Sequence, residues 1–173
     1  MRLDFLGHPE IFSVCLRNAI SDSSTHTGFC GIAYSIRRVW IGDINLDAVI
    51  GTVMLGIKDV IEKIDGMENE HLFHMEIDKL DSIFFEKPVE QKSKYKLISY
   101  TDIGYKHSLA INCECFDGFY IFGITHGEEI RCILLDKEYP EYSFEYIVKK
   151  YLVRENLVFA SDLLTTIIQQ EAR

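Results

Sequence analysis

The sequence predicts an α+β domain: mostly antiparallel sheet of about six strands, a long amphipathic helix over about residues 46–64, and helices at the C-terminus. Three patterns predict it. Apolar residues alternate with period two in the opening third and again after residue 107. One stripe with helical spacing lies between those stretches. Asp117-Gly118, the favoured two-residue hairpin turn, joins two of the later apolar runs. The 173 residues fit a single domain, 1–173, long enough to bury a core.

In "IFSVCLRNAI" (11–20), Phe12, Val14 and Leu16 point one way and Ser13, Cys15 and Arg17 the other, which is a strand. "SDSSTHTG" (21–28) reads as a polar loop, "FCGIAYSI" (29–36) as a second strand and "VWIG" (39–42) as a short third. Arg37-Arg38 is either their connection or a charged point in one long strand. Leu46, Val49, Ile50, Val53, Met54, Ile57, Val60, Ile61 and Ile64 then recur at i, i+3, i+4, i+7. Asn45 is placed to cap this helix, Asp47 suits its positive end, and Gly66 follows its C-terminus. Gly51 and Gly56 each weaken it by about 1 kcal/mol relative to Ala, and they permit close packing against a strand. Residues 67–94 fit a helix at 77–84 or two short strands, and read better as strand then loop; "EKPVEQKSKYK", with Pro88, is a loop. "HSLAINCECF", "FYIFGIT" and "IRCILLDK" form a three-stranded meander. Ser143 opens a helix along Phe144, Ile147, Val148, Tyr151 and Leu152, and Ser161 or Asp162 caps a last one along Leu163, Leu164, Ile167 and Ile168.

Apolar content of 47% and charged content of 26% are those of a soluble globular chain, and no apolar run approaches a membrane span. Asp4, His8 and Glu10 interrupt the opening residues, which argues against a secretory leader. The five cysteines, Cys15, Cys30, Cys113, Cys115 and Cys132, are odd in number and sit in apolar segments; free thiols in a reducing cytoplasm account for them. A net charge of −9 argues against nucleic acid as a direct partner. Residues 59–90 hold ten acids against three bases, so most of that charge lies in one window.

Metal chemistry is not expected. His71 and His74 lie beside Glu70 and Glu76, but "HLFH" is not HExxH, and "CEC" (113–115) spaces its thiols too closely for zinc. These read as surface histidines and core cysteines. A Cys115–His126 pair across the hairpin is one of many that five cysteines and six histidines offer by chance. Glu76, Asp78 and Asp81 are too crowded with charge for one to be desolvated as a general acid. Neither GxGxxG nor GxxxxGK[ST] occurs. The expectation is a protein that is not an enzyme and takes no cofactor. The acidic segment, with Phe73, Phe84 and Phe85 embedded in it, remains as a surface for a basic partner, aromatics supplying area and charge supplying on-rate. The candidate partner-binding residues are Glu68, Glu70, Glu76, Asp78, Asp81, Phe84, Phe85 and Glu86. The alternative is a small α+β enzyme or ligand-binding domain with a pocket near the 107–135 meander.

"GHPEIF" near the start, a polar loop, "GFCGIAYSI" and then "VWIGD" leading into a long helix resemble bacterial immunity proteins of contact-dependent growth inhibition and polymorphic toxin systems, the immunity protein 42 family in particular. The likeness rests on Gly7, Pro9, Phe12, Gly28 and the Ile41-Gly42-Asp43 step, about the first third of the chain. Gly7-x-Pro9 reads as a turn before a strand and Gly42-Asp43 as the turn between strand and helix. Neither carries chemistry, which suits a family that acts by binding. The resemblance implies a cytoplasmic protein that binds the C-terminal toxin domain of a cognate effector, often a nuclease with a basic cleft. An acidic inhibitor would mimic the phosphate backbone there, and the 59–90 block is its candidate surface.

Overall fold

The computed structural model describes residues 3–22, 27–86, 99–136 and 142–171. Among the described residues, two antiparallel sheets and five α-helices make up the α+β architecture. The first sheet contains β1 (Leu3–His8), β2 (Phe12–Asp22), β3 (Thr27–Ile36) and β4 (Val39–Ile41) in that order, with β5 (Ala48–Val49) also on β3. The second contains β6 (Tyr120–His126), β7 (Glu129–Leu135) and β8 (Phe144–Lys149) in sequential order. The helices are α1 (Ile50–Ile64), α2 (Glu70–Phe73), α3 (Ile77–Phe84), α4 (Asp102–His107) and α5 (Lys150–Glu171). Among the described residues no helix is long and apolar enough to cross a membrane.

Strands β2, β3 and β4 form where the alternation places them. The loop expected at 21–28 is shorter, because Ser21↔Gly28 and Asp22↔Thr27 extend the β2–β3 ladder; 23–26 lie outside the described residues. β1 is an additional strand, paired from Leu3↔Arg17 to His8↔Phe12. Arg37-Arg38 is the β3–β4 connection. Both residues have positive φ, 50° and 67°, as a primed hairpin turn requires, although that conformation is uncommon without glycine or asparagine. Arg37 recovers contact by lying 4.1 Å over the Tyr146 ring of β8, and Arg38 pairs with Glu10.

Helix α1 begins at Ile50, later than expected. Ala48 and Val49 are drawn into β-pairing with Cys30 and Phe29, so the N-cap position is Val49 and it makes no side-chain cap bond. Asn45 does not cap; its N–H donates to Asp43 Oδ1 at 2.9 Å in a turn, and Asp47 pairs with Arg17 rather than with the helix dipole. Leu46 and Val49 are consequently exposed. The buried stripe is Ile50, Val53, Gly56, Ile57, Val60 and Ile64. Each of its large side chains contributes about 1.5–3 kcal/mol by burial. Gly56 is there because a Cβ would meet Ile111 Cγ2 at 2.6 Å, a close approach to an extended segment rather than to a ladder strand.

Residues 70–73 and 77–84 are helical: of the two readings of this region the structure adopts the helix at 77–84, where strand then loop was preferred. α2 and α3 lie on the outer face of the second sheet, and Leu72, Phe73, Leu80 and Phe84 are buried beneath them. Residues 87–98, with most of the expected "EKPVEQKSKYK" loop, lie outside the described residues. "HSLAINCECF" is not a ladder strand either. Its start completes α4, capped by Thr101 Oγ1 accepting from Gly104 N–H at 3.0 Å, and it ends in a 3₁₀ turn at Glu114–Phe116. Only Ser108 bridges to Phe122, while Leu109, Ile111 and Cys113 point into the main core. Asp117-Gly118 turns this segment into β6; it does not close a hairpin.

The third strand of the later sheet is instead β8, where a helix from Ser143 was expected. Phe144, Tyr146 and Val148 also satisfy period two, and pairing with β7 from Leu134↔Phe144 to Glu129↔Lys149 settles the choice. The chain passes directly into α5. Ser161 and Asp162 are interior to that helix and accept from Thr165 and Thr166 hydroxyls at 2.9 Å, so no second C-terminal helix starts there.

The main core joins the first sheet, α1, α5 and the inner face of the second sheet. The second core lies between α2–α3 and the outer face, through Phe122, Ile124, Ile133 and Leu135. The second sheet is thus covered on both faces. All five cysteines are buried and free.

Candidate functional site

The acidic segment is the outer skin of the second core. Asn69 starts α2: its Oδ1 accepts from Leu72 N–H at 3.0 Å. Asn69 N–H donates to Thr125 O and Thr125 N–H to Met67 O, each at 3.0 Å, which ties the helix start to the end of β6. The other end of α2 is held by Arg131 from β7. Its buried guanidinium donates from Nη1 to the carbonyls of Leu72, Phe73 and Met75 at 3.2, 2.8 and 2.6 Å, and from Nε to Glu145 at 2.9 Å. A single side chain therefore reaches two carbonyls at the C-terminal end of this four-residue helix, Leu72 and Phe73, and the Met75 carbonyl just beyond it.

On this frame Glu70, Glu76, Asp78 and Glu86 are exposed and Asp81 is half-buried. Glu76 pairs with Lys79 at 2.7 Å, and that bond lowers its carboxyl pKa. Glu68 accepts from Thr125 Oγ1 and Gly127 N–H, each at 3.2 Å. Partial burial pushes its pKa up, but these two donors and His126 outweigh it and hold the carboxyl below its usual value. Phe84 and Phe85 are not surface anchors. Phe84 is fully buried and stacks on Phe122 with centroids 4.3 Å apart; Phe85 packs on Tyr100, Tyr120 and Phe122. Phe73 is buried likewise. The second sheet needs an apolar cover, and these rings supply it. Among the described residues the exposed face of this segment is acidic and carries no aromatic anchor.

The structure adds a residue that spacing along the chain did not supply. His126, at the end of β6, meets Glu70 and His74: one ligand atom from each lies within 4.8 Å of the others. The readable half of this cluster is Glu70-x-x-x-His74, one helical turn apart. His71 and Glu76 are not members. His126 carries no sequence signal, because only the β6 register and the docking of α2 bring it there. It does not meet Cys115, whose thiol donates to Leu46 O at 3.4 Å. Cys113, donating to the Cys115 sulfur, lowers that thiol to about 7 and its own is pushed up.

A cleft of about 620 Å³ does occur near the expected pocket, between α1 and the 108–120 segment, lined by Asp59, Lys63, Tyr105, Asn112 and Asp117 among others. Its cation is already engaged: Lys63 pairs with Asp59 at 2.7 Å and lies 3.7 Å over the Tyr105 ring.

Two antiparallel sheets, one covered on both faces, with a long C-terminal helix define an α+β fold that recurs in a solved protein. A crystal structure of CdiI from Burkholderia dolosa AUO158 matches with a TM-score of 0.58 at 16% identity, over 90% of this chain and 99% of that one. No protein-family model matches the chain, and no curated protein matches it in sequence.

Proposed function

We propose that the chain is an immunity protein that binds a cognate toxin domain in the cytoplasm and neutralises it, without catalysis of its own. The observation that carries this reading is the fold shared over 90% of the chain with CdiI, an immunity protein of contact-dependent growth inhibition. The resemblance of the first third to such proteins supports it independently. The toxin domain is a nuclease with a basic cleft, and Glu68, Glu70, Glu76, Asp78, Asp81 and Glu86 form the face that blocks it. Their exposure on α2, α3 and the flanking turns supports that role, as does the concentration of the chain's negative charge between residues 59 and 90. Phe84 and Phe85, being core, have no part in it.

The test uses the C-terminal domain of a large effector sought among the genes neighbouring this chain's. Co-expression should protect cells from it, and the purified pair should associate. Asp78→Lys with Glu86→Lys should slow association about tenfold or more at low salt and leave the fold intact, because exposed charges contribute little to stability. The loss should shrink as salt rises, since steering is screened beyond a Debye length of about 8–10 Å. Binding with unchanged rate constants would move the interface off the acidic face; absence of both binding and protection would remove the immunity reading itself.

A further inference from the structure

The cluster beside the acidic face has the composition of a metal site. We propose that Glu70, His74 and His126 bind a divalent cation of the zinc class. The chain's own geometry argues for this, independently of any toxin.

The donor set comes first. One carboxylate and two imidazoles are borderline ligands that suit zinc, cobalt(II) or nickel(II); calcium and magnesium prefer sites made of oxygen alone. Three protein ligands leave a fourth position open, and because Glu70 and His74 are exposed it opens to solvent.

The distances come second. For zinc–nitrogen bonds of about 2.1 Å at a tetrahedral angle, two ligand nitrogens lie about 3.4 Å apart and their ring centroids about 5.2 Å. The His74 and His126 centroids are 5.6 Å apart, with the rings at 70°. The three ligand atoms lie within 4.8 Å of one another, so closure to a zinc shell asks for shifts on the order of an ångström, within the reach of side-chain rotation.

The third support is the frame. Arg131 fixes the carbonyls on both sides of His74, and the Asn69–Thr125–Met67 bonds fix α2 against β6. All three ligands therefore sit on backbone already tied together, which lowers the ordering cost of binding. Glu68, itself held by Thr125 and Gly127, stands 3.5 Å from His126 Nδ1. Nδ1 is shielded from solvent and faces the Glu68 carboxylate at a separation that suits an ion pair better than a well-formed hydrogen bond. Two carboxylates beside two imidazoles give the cluster negative charge that a cation would offset.

The full chain, treated with chelator and dialysed, is titrated with cobalt(II) alone and then with zinc as competitor. One equivalent should bind, with the ligand-field absorption of nitrogen and oxygen donors, and zinc should displace it. His74→Ala and His126→Ala should each weaken zinc at least tenfold; Glu70→Gln should weaken it less. His74 is exposed, so its replacement tests the site without threatening the fold. Three results would overturn the proposal: no binding at micromolar metal, a thiolate-to-cobalt charge-transfer band placing the ion on the cysteines, or variants that bind as tightly as the parent. No toxin is present, so failure here leaves the immunity reading standing.

Discussion

Helix α1 and the α2–α3 pair both lay an apolar face on a sheet, but they are held by different means. α1 contributes a continuous stripe of fully buried aliphatics and depends on area. α2 and α3 are four and eight residues long. Helices that short do not persist alone, so their conformation comes from outside. Asn69 and Thr125 hold one end, Arg131 the other, and a stack of rings lies beneath, each aromatic pair adding about 0.5–1.5 kcal/mol beyond its area. A long amphipathic helix states its own position. A short one is legible only with its tertiary partners, and here those partners also gather the candidate site.

Replacing an apolar group in the first region should have the largest effect. Val53 is completely buried in the α1 stripe. Val53→Asp would place an unpaired charge there and cost several kcal/mol, a large share of a domain's ~5–15 kcal/mol. Thermal or urea unfolding should show a collapse of the cooperative transition. Near-parental melting would mean that α1 does not hold the domain together as its burial implies.

In the second region the expected loss is smaller and local. Arg131→Met keeps the volume and removes the donors to Leu72, Phe73 and Met75, leaving three carbonyls and Glu145 without their cation. Removal of a buried guanidinium costs about 3–5 kcal/mol where its partner is buried too; the half-exposed Glu145 lowers this to about 2–3 kcal/mol. Hydrogen exchange should accelerate over 70–84 before it does so over 50–64. Uniform acceleration would show that the two cores unfold as one unit and that the contrast between them is only structural.

The same contrast explains what the sequence made legible. The β2 and β3 alternation and the α1 stripe are long enough for period to decide. Phe144, Tyr146 and Val148 satisfied a helical period as well as a strand period, and only pairing with β7 chose between them. The 109–113 alternation was genuine, with Leu109, Ile111 and Cys113 all buried, but it packs on Gly56 without entering a ladder. Of the candidate acids, Glu68, Glu70, Glu76, Asp78 and Glu86 are exposed, as charge resists burial, and Asp81 is half-buried. Phe84 and Phe85 were assigned outward because the strand-then-loop reading was preferred to the helix at 77–84, and they are buried at the end of that helix. His126 was invisible as a partner of Glu70 and His74, since nothing local relates a strand end to a helix some fifty residues before it.

The smallest effect is expected where the second core meets α4. His107 is buried against Phe84, and its Nδ1–H donates to Gly123 O at 2.8 Å. Burial lowers its pKa below the ordinary 6.5; the bond to Gly123 opposes this and Lys106 adds to it. The unfolded chain then binds more protons than the folded one near and below pH 6.5. Stability from the neutral ring is therefore fully present above that pH and is lost as the pH falls through it, by at most about 1.4 kcal/mol per pH unit. Glu68 and Glu76, whose pKa values are depressed, contribute losses only at lower pH, near and below the ordinary 4.5. The tail of the Cys115 thiol, held near 7, also falls between pH 7 and 5.5, so the comparison of parent and variant across that interval is what isolates the histidine. His107→Gln keeps an N–H for Gly123 and removes the titration. Its unfolding free energy, measured in chelator to silence any metal, should lie below the parent's at pH 7.5 and vary less between pH 7 and 5.5. An unchanged slope would mean that the buried imidazole titrates alike in both states, so that the α4 seam opens to water more readily than either core.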